Sequence, residues 1–183
     1  MGIFIIMIQV SVGVCIKLSS VGDTIWIRNI VNEDFYVSIK SVVQTNDLGF
    51  TIAGELISYE LDKKYIFISK LNENGELKWF KLFKQEENQL DITEIQELTD
   101  NSIILGGNRF SSGGSNAYLL KITSNGELLW SKVYKNDKDN PFTKLNDLLI
   151  DNDKYIVSLD SKTGLVILDL NLDGEIIQNN FYT

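Results

Sequence analysis

The chain has 183 residues, of which 44% are hydrophobic and 23% charged, an ordinary globular balance with enough length for a real core. Its net charge of −8 and the lack of any Lys/Arg run exclude a nucleic-acid surface and speak against docking on or inserting into an anionic membrane. A single cysteine excludes an internal disulfide; the absence of histidine removes the commonest general base, the usual transition-metal ligand and the Ser-His and Cys-His nucleophile pairs.

Residues 3–16 are almost wholly apolar and allow two readings. As a leader the segment lacks the basic residue a secretory signal carries ahead of its apolar stretch, and it is too short to span a bilayer. Cys15 invites lipidation, but Val14 stands where a small residue is expected before it. The preferred reading takes 3–22 as strands, because it aligns without a gap on 155–174, a segment of the repeat that fills the rest of the chain.

Gly22, Gly75, Gly126 and Gly174 follow one another at intervals of 53, 51 and 48 residues. SVVQTNDLGFTIAG (41–54) falls on EIQELTDNSIILGG (94–107) at an offset of 53, and 94–103 falls on 146–155 at a further 52. FISKLNENGEL, YLLKITSNGEL and VILDLNLDGEI then recur in step. Trp26, Trp79 and Trp130 occupy one register position, with Gln178 in the last copy; two residues on stand Arg28, Lys81, Lys132 and Asn180. A fixed period near 50 residues marks arrayed supersecondary units, whose terminal copies are often degenerate.

Each copy reads as four short strands cut by Asn, Asp and Gly. In the central copy these are A (92–98), B (103–108), C (117–122) and D (128–134), and the NENG, TSNG and NLDG breaks each supply a left-handed residue for a C–D hairpin. One such meander cannot bury both its faces alone, whereas meanders stacked about an axis bury one another. The expected fold is therefore all-β: a partial or small β-propeller of about four blades of four-stranded antiparallel sheet, with the first blade incomplete. Its units are 1–31 (lacking strand A), 37–83, 90–134 and 143–183. The lone proline fits a chain of ladders.

The chemistry-bearing residues are weighed on that frame. The three tryptophans are expected to pack on the neighbouring blade, with the cations two residues on lying along the rings. The NENG and NLDG turns offer too few oxygens for a calcium loop. Asp91, Glu94, Glu97 and Asp147 lie on or beside strand A, nearest the axis, where they would line a polar channel. Ser111 to Asn116 reads as a mobile B–C connection and lacks the Lys and helix of a phosphate loop. In A-to-D order the D–A and B–C connections emerge at one end and look long and variable, so binding residues are sought there: Tyr59, Glu60, Arg109, Phe110 and Phe142. No catalytic residue, cofactor site or metal site is expected.

QTNDLGFTIAG followed by KLNENGELKWFKLF resembles the repeats of secreted or surface β-propeller proteins of bacteria and archaea, over nearly all of residues 21–173. The departures are Leu48 and Ser102 at glycine positions and Gln178 at the tryptophan position. GELLW is also similar to the Gly-x-x-x-Trp docking element of quinoprotein-like propellers, whose repeats are shorter and whose quinone ligands have no counterpart here. The resemblance implies an extracytoplasmic, non-catalytic module with a protein or glycan partner. Two alternatives stand beside it: a degenerate propeller enzyme (a carboxylate glycosidase or quinoprotein relative), and a half ring that self-associates.

Overall fold

The computed structural model describes residues 12–58, 63–83, 89–111, 114–135 and 142–182, and every regular element among them is a β-strand. The chain divides into two compact units, Met1–Lys84 and Gln85–Thr183. In the first unit β1 (Val12–Leu18) and β2 (Thr24–Val31) form a hairpin. Beside it β3 (Tyr36–Gln44), β4 (Phe50–Ser58), β5 (Lys63–Leu71) and β6 (Leu77–Phe83) form a four-stranded meander. The second unit holds two such meanders: β7 (Gln89–Glu97), β8 (Ile103–Ser111), β9 (Gly114–Ile122), β10 (Leu128–Tyr134), then β11 (Phe142–Asp151), β12 (Lys154–Ser161), β13 (Gly164–Asn171), β14 (Ile176–Tyr182). All pairings are antiparallel in the order A-B-C-D, and β1 and β2 stand as C and D of the incomplete copy. Its strand B, expected within residues 1–11, lies outside the described residues.

The hairpins repeat one geometry. Ser19, Thr45, Asn72, Leu98, Thr123 and Asn171 each accept the N–H of the residue three further on, at 2.8–3.0 Å, and donate to the carbonyl four further on, at 2.7–2.9 Å. This is a type I turn closed by a left-handed residue, so the fourth position must tolerate positive φ. Glycine stands there at Gly75 and Gly174, with φ of 76° and 75°. Leu48 obeys the same demand at a higher cost, with φ 63°; in the next copy the left-handed residue is Asn101, with φ 62°, one before Ser102. Asn72 and Asn171 spend their Oδ1 atoms on turn amides, at 2.8–3.1 Å, so these oxygens serve the turn.

Strand A carries a bulge in each meander, between Ile39 and Ser41, Ile92 and Glu94, and Leu145 and Asp147. It presses the backbones together: a Cβ on Gly107, opposite Ile92, would run into the Asp91 carbonyl oxygen. The registers correct the gap-free alignment of the last copy. Glu94 faces Gly106 and Asp147 faces Ser158, so the structural equivalent of Glu94 is Asp147 and not Asn146. The reason is local, because the β11–β12 hairpin closes on the Asp151–Lys154 pair, one residue shorter than its counterparts. A one-residue slip exchanges the two faces of a strand, which makes this difference decisive for who meets whom. A second correction concerns 111–116. Ser111 pairs with Gly114, Phe110 with Ser115 and Arg109 with Asn116, so most of the expected connection belongs to a β8–β9 ladder.

Within each unit neighbouring sheets bury a shared core. In the first, Cys15 and Trp26 pack with Val37, Ile39, Phe50, Ile52 and Leu56. In the second, Ile104, Leu119 and Tyr134 pack with Leu145, Leu148, Tyr155 and Val157. Trp26 and Trp130 do what the repeat implied. Trp26 covers the turn of the next sheet, where a Cβ on Gly75 would lie 2.9 Å from its ring, and meets Phe50 edge-on at 5.4 Å. Trp130 covers the Gly174 turn in the same way and tilts against Tyr155 at 6.3 Å. The Arg28 guanidinium and the Lys132 ammonium each stand 5.9 Å from the ring two residues back. Trp79 holds the same register position on β6, opposite Lys70.

Candidate functional site

On β7 and β11 of the second unit two carboxylates are held by hydrogen bonds to the same backbone amide. The bulges on β7 and β11 leave Glu94 and Asp147 at equivalent positions of neighbouring sheets. There they share one donor: the Leu148 N–H lies 3.2 Å from Glu94 Oε2 and 2.9 Å from Asp147 Oδ1. Gln96 Nε2 donates to Glu94 Oε1 at 2.7 Å and across to the Leu148 carbonyl at 2.5 Å, tying β7 to β11. Burial first, then the hydrogen-bonded Asp147 carboxylate, raises the Glu94 carboxyl above the usual range, against the opposing pull of Gln96 and the Leu148 N–H.

Asp91 is occupied differently: it accepts from the Asn108 N–H and Nδ2, both at 3.2 Å, while Asn108 Oδ1 accepts the Leu145 N–H at 2.7 Å. That relay joins β7, β8 and β11 and gives Asp91 a structural duty. In the second sheet the position of Glu94 is Ser41, so the carboxylate contact belongs to the second unit.

Of the residues sought at the connection end, Tyr59 and Glu60 lie outside the described residues. Arg109 is half-buried and Phe110 is 40% exposed, both near the tip of β8. The backbone of Phe142 opens β11 opposite Ser161, at the same end of the second unit. The structure thus brings three of the five positions to one end of two adjacent sheets.

The opposite end is tied off by ion pairs between the A–B turn and strand C. Lys70 Nζ meets Asp47 Oδ1 at 2.8 Å, and Lys121 Nζ meets Asp100 Oδ2 at 3.8 Å. In the last copy the polarity is reversed, with Lys154 Nζ on Asp169 Oδ2 at 2.7 Å. Burial works against the Asp47 carboxylate. Hydrogen bonds from Lys70, Thr45 and the Gly49 N–H outweigh it, and its pKa falls to about 2.

Two features of the first unit escaped sequence reasoning. Glu55, 2% exposed on β4, sits between Lys64 Nζ at 2.7 Å and Lys40 Nζ at 3.3 Å. An acid inside FTIAGELIS was the available signal, because a carboxylate in an apolar run is retained only with partners. A groove of about 450 Å³ also opens between β2 and β6, bounded by Arg28, Ile30, Ser69, Leu77 and Phe80. Arg28 spends its donors on the carbonyls of Gly75 (2.7 Å), Asn74 (2.9 Å) and Ile27 (2.9 Å). Burial pushes the Cys15 thiol up to about 11, so it stays protonated and unreactive at neutral pH. Among the described residues no group of three or more Cys, Asp or Glu is placed to hold a metal ion.

No family model and no curated protein matches the chain. Among solved structures it is similar to a tryptophan-to-alanine mutant of the apocarotenoid oxygenase of Synechocystis. The TM-score is 0.52 over 92% of this chain, at 10% identity. The chain spans 46% of that structure's length. At such identity the likeness concerns fold alone, and with the stacked four-stranded antiparallel sheets it establishes an all-β, β-propeller fold.

Proposed function

We propose that the chain is a non-catalytic β-propeller module that binds a protein or glycan partner through the end carrying the D–A and B–C connections, in an extracytoplasmic setting. The side chains at the connection end of the second unit carry this reading: Phe110 is 40% exposed, and Arg109, half-buried, precedes it on β8. Aromatic and arginine side chains are the usual anchors of interfaces, since they bury large area for few lost torsions. Glu94 and Asp147 are read as a clasp between β7 and β11, held at the Leu148 N–H that both accept.

The test is a glycan array with a parallel screen of immobilised surface proteins, followed by affinities for whatever ligand is captured. Replacing Arg109 and Phe110 together by Ala should weaken capture by tenfold or more, about 1.4 kcal/mol. Asp173→Ala at the turn end should leave it unchanged. A ligand indifferent to the first variant and lost with the second would place recognition at the wrong end.

A further inference from the structure

Every D strand is the edge of its sheet, and edges are guarded in soluble proteins because unpaired N–H and C=O groups invite another strand. On β2 the guard is Arg28, on β6 Lys78 and Lys81, on β10 Lys132. β14, IIQNNFY, carries no charge at all, no proline and no glycine. Gln178 and Asn180 replace the tryptophan and the cation, and hydrogen-bond to each other, Nε2 to Oδ1 at 3.0 Å. The strand pairs with β13 on one side, while Ile177 (62% exposed), Tyr182 (56%), Ile176 (50%) and Phe181 (49%) face solvent.

The sequence of this edge is its own complement. Turned about a two-fold axis through Asn179, an antiparallel copy sets Ile176 opposite Tyr182, Ile177 opposite Phe181, Gln178 opposite Asn180 and Asn179 opposite itself. Aliphatic thus meets aromatic at both ends and amide meets amide in the middle, the pairings that stabilise antiparallel ladders. No like charges are opposed. An isologous contact of this kind closes on itself and stops at two copies. From these observations we infer that β14 is a homodimerisation edge, joining the last sheets of two chains into one continuous eight-stranded sheet. The net charge of −8 on each chain opposes the encounter at long range, so added salt should strengthen the dimer.

Sedimentation of the full chain over a range of concentrations reads the mass directly. The expected result is a dimer that tightens with salt and a monomer for Asn179→Lys, which faces two ammonium groups across the axis. Asn179→Cys provides a second reading that does not depend on that variant folding. Facing residues of an antiparallel pair have Cα atoms about 4.5–5.5 Å apart, within disulfide reach, so mild oxidation should link two chains through residue 179. A wild type that stays monomeric at every concentration, or captures only a foreign strand at β14, would overturn the inference. So would a dimer that survives Asn179→Lys or fails to cross-link at residue 179, as expected if copies meet through a sheet face and not this edge.

Discussion

In the first unit the Gly75 turn is covered by Trp26, and Arg28 gathers the carbonyls of Asn74 and Gly75 with its fork. In the second, Trp130 covers the Gly174 turn, but the carbonyl of Gly174 is taken by the Tyr134 hydroxyl at 2.8 Å, and Lys132 turns to the Glu175 carboxylate. The residue at Tyr134's position in the first unit is Ile30, which has no donor to give. What both junctions preserve is an apolar plate on a glycine turn with a donor for its carbonyl; which side chain donates is free to change. A planar five-donor guanidinium does alone what a lysine can do only with a tyrosine beside it.

The largest effect should come from the plates. Trp26→Ala is expected to cost about 3–5 kcal/mol, and Trp130→Ala less, because Trp26 is 8% exposed whereas Trp130 is only half-buried. Urea unfolding of both variants checks the order, and a larger loss at Trp130 would break it. Next come the donors. Tyr134→Phe should cost about 1–3 kcal/mol by stranding the Gly174 carbonyl, and Arg28→Lys a similar amount. Lys132→Arg should cost nothing measurable, since the ion pair to Glu175 is largely solvated. A costly Lys132→Arg with a harmless Arg28→Lys would reverse the assignment of roles.

Turn strain separates the units in the opposite sense. Leu48→Gly in the first should raise stability by about 1 kcal/mol, and Asn101→Gly in the second by less, since asparagine tolerates left-handed backbone. Thermal midpoints of the two variants decide it. The smallest effect concerns protons. Glu94 has its carboxyl raised on folding, so its contribution is whole in acid and is lost as pH climbs through that raised value. Glu94→Gln should therefore gain on the wild type as pH rises to neutral, with no gain for Ser41→Gln in the first unit. Asp47 has the reverse sign: its carboxylate contributes above the ordinary 3.8 and its contribution is lost toward about 2. Its half-exposed position holds this below about 1 kcal/mol. A stability–pH profile in which Glu94→Gln tracks the wild type at every pH would remove the clasp.

Much of this was legible before any coordinates. Period, strand order, the left-handed glycines and the docking of Trp26 and Trp130 follow from repeated letters, because backbone demands at turns and plates leave few residue choices. What stayed hidden was chemistry that changes letters while keeping function. The Lys154–Asp169 pair preserves an Asp–Lys bond by exchanging its ends, and identity matching is blind to that. The partnership of Glu94 with Asp147 was hidden by a one-residue deletion in a turn, which a gap-free alignment carries into the strand as a false register. Glu55 was passed over since its two lysines come from β3's bulge and from β5, distant in sequence. The Ser111–Asn116 segment looked like a loop by composition, yet ladder pairing with β8 outweighs its low strand propensity.

The central claim is that an indole from one sheet rests on the glycine turn of the next, and a double-mutant cycle between Trp26 and Gly75 measures it most directly. Gly75→Ala should be strongly destabilising in the wild type, where the new methyl group meets the ring and the backbone stays at φ 76°. In the Trp26→Ala background only the backbone penalty of about 1–2 kcal/mol should remain, leaving a coupling energy of about 1 kcal/mol or more. Additive losses would mean that the two residues do not touch, and would contradict the account.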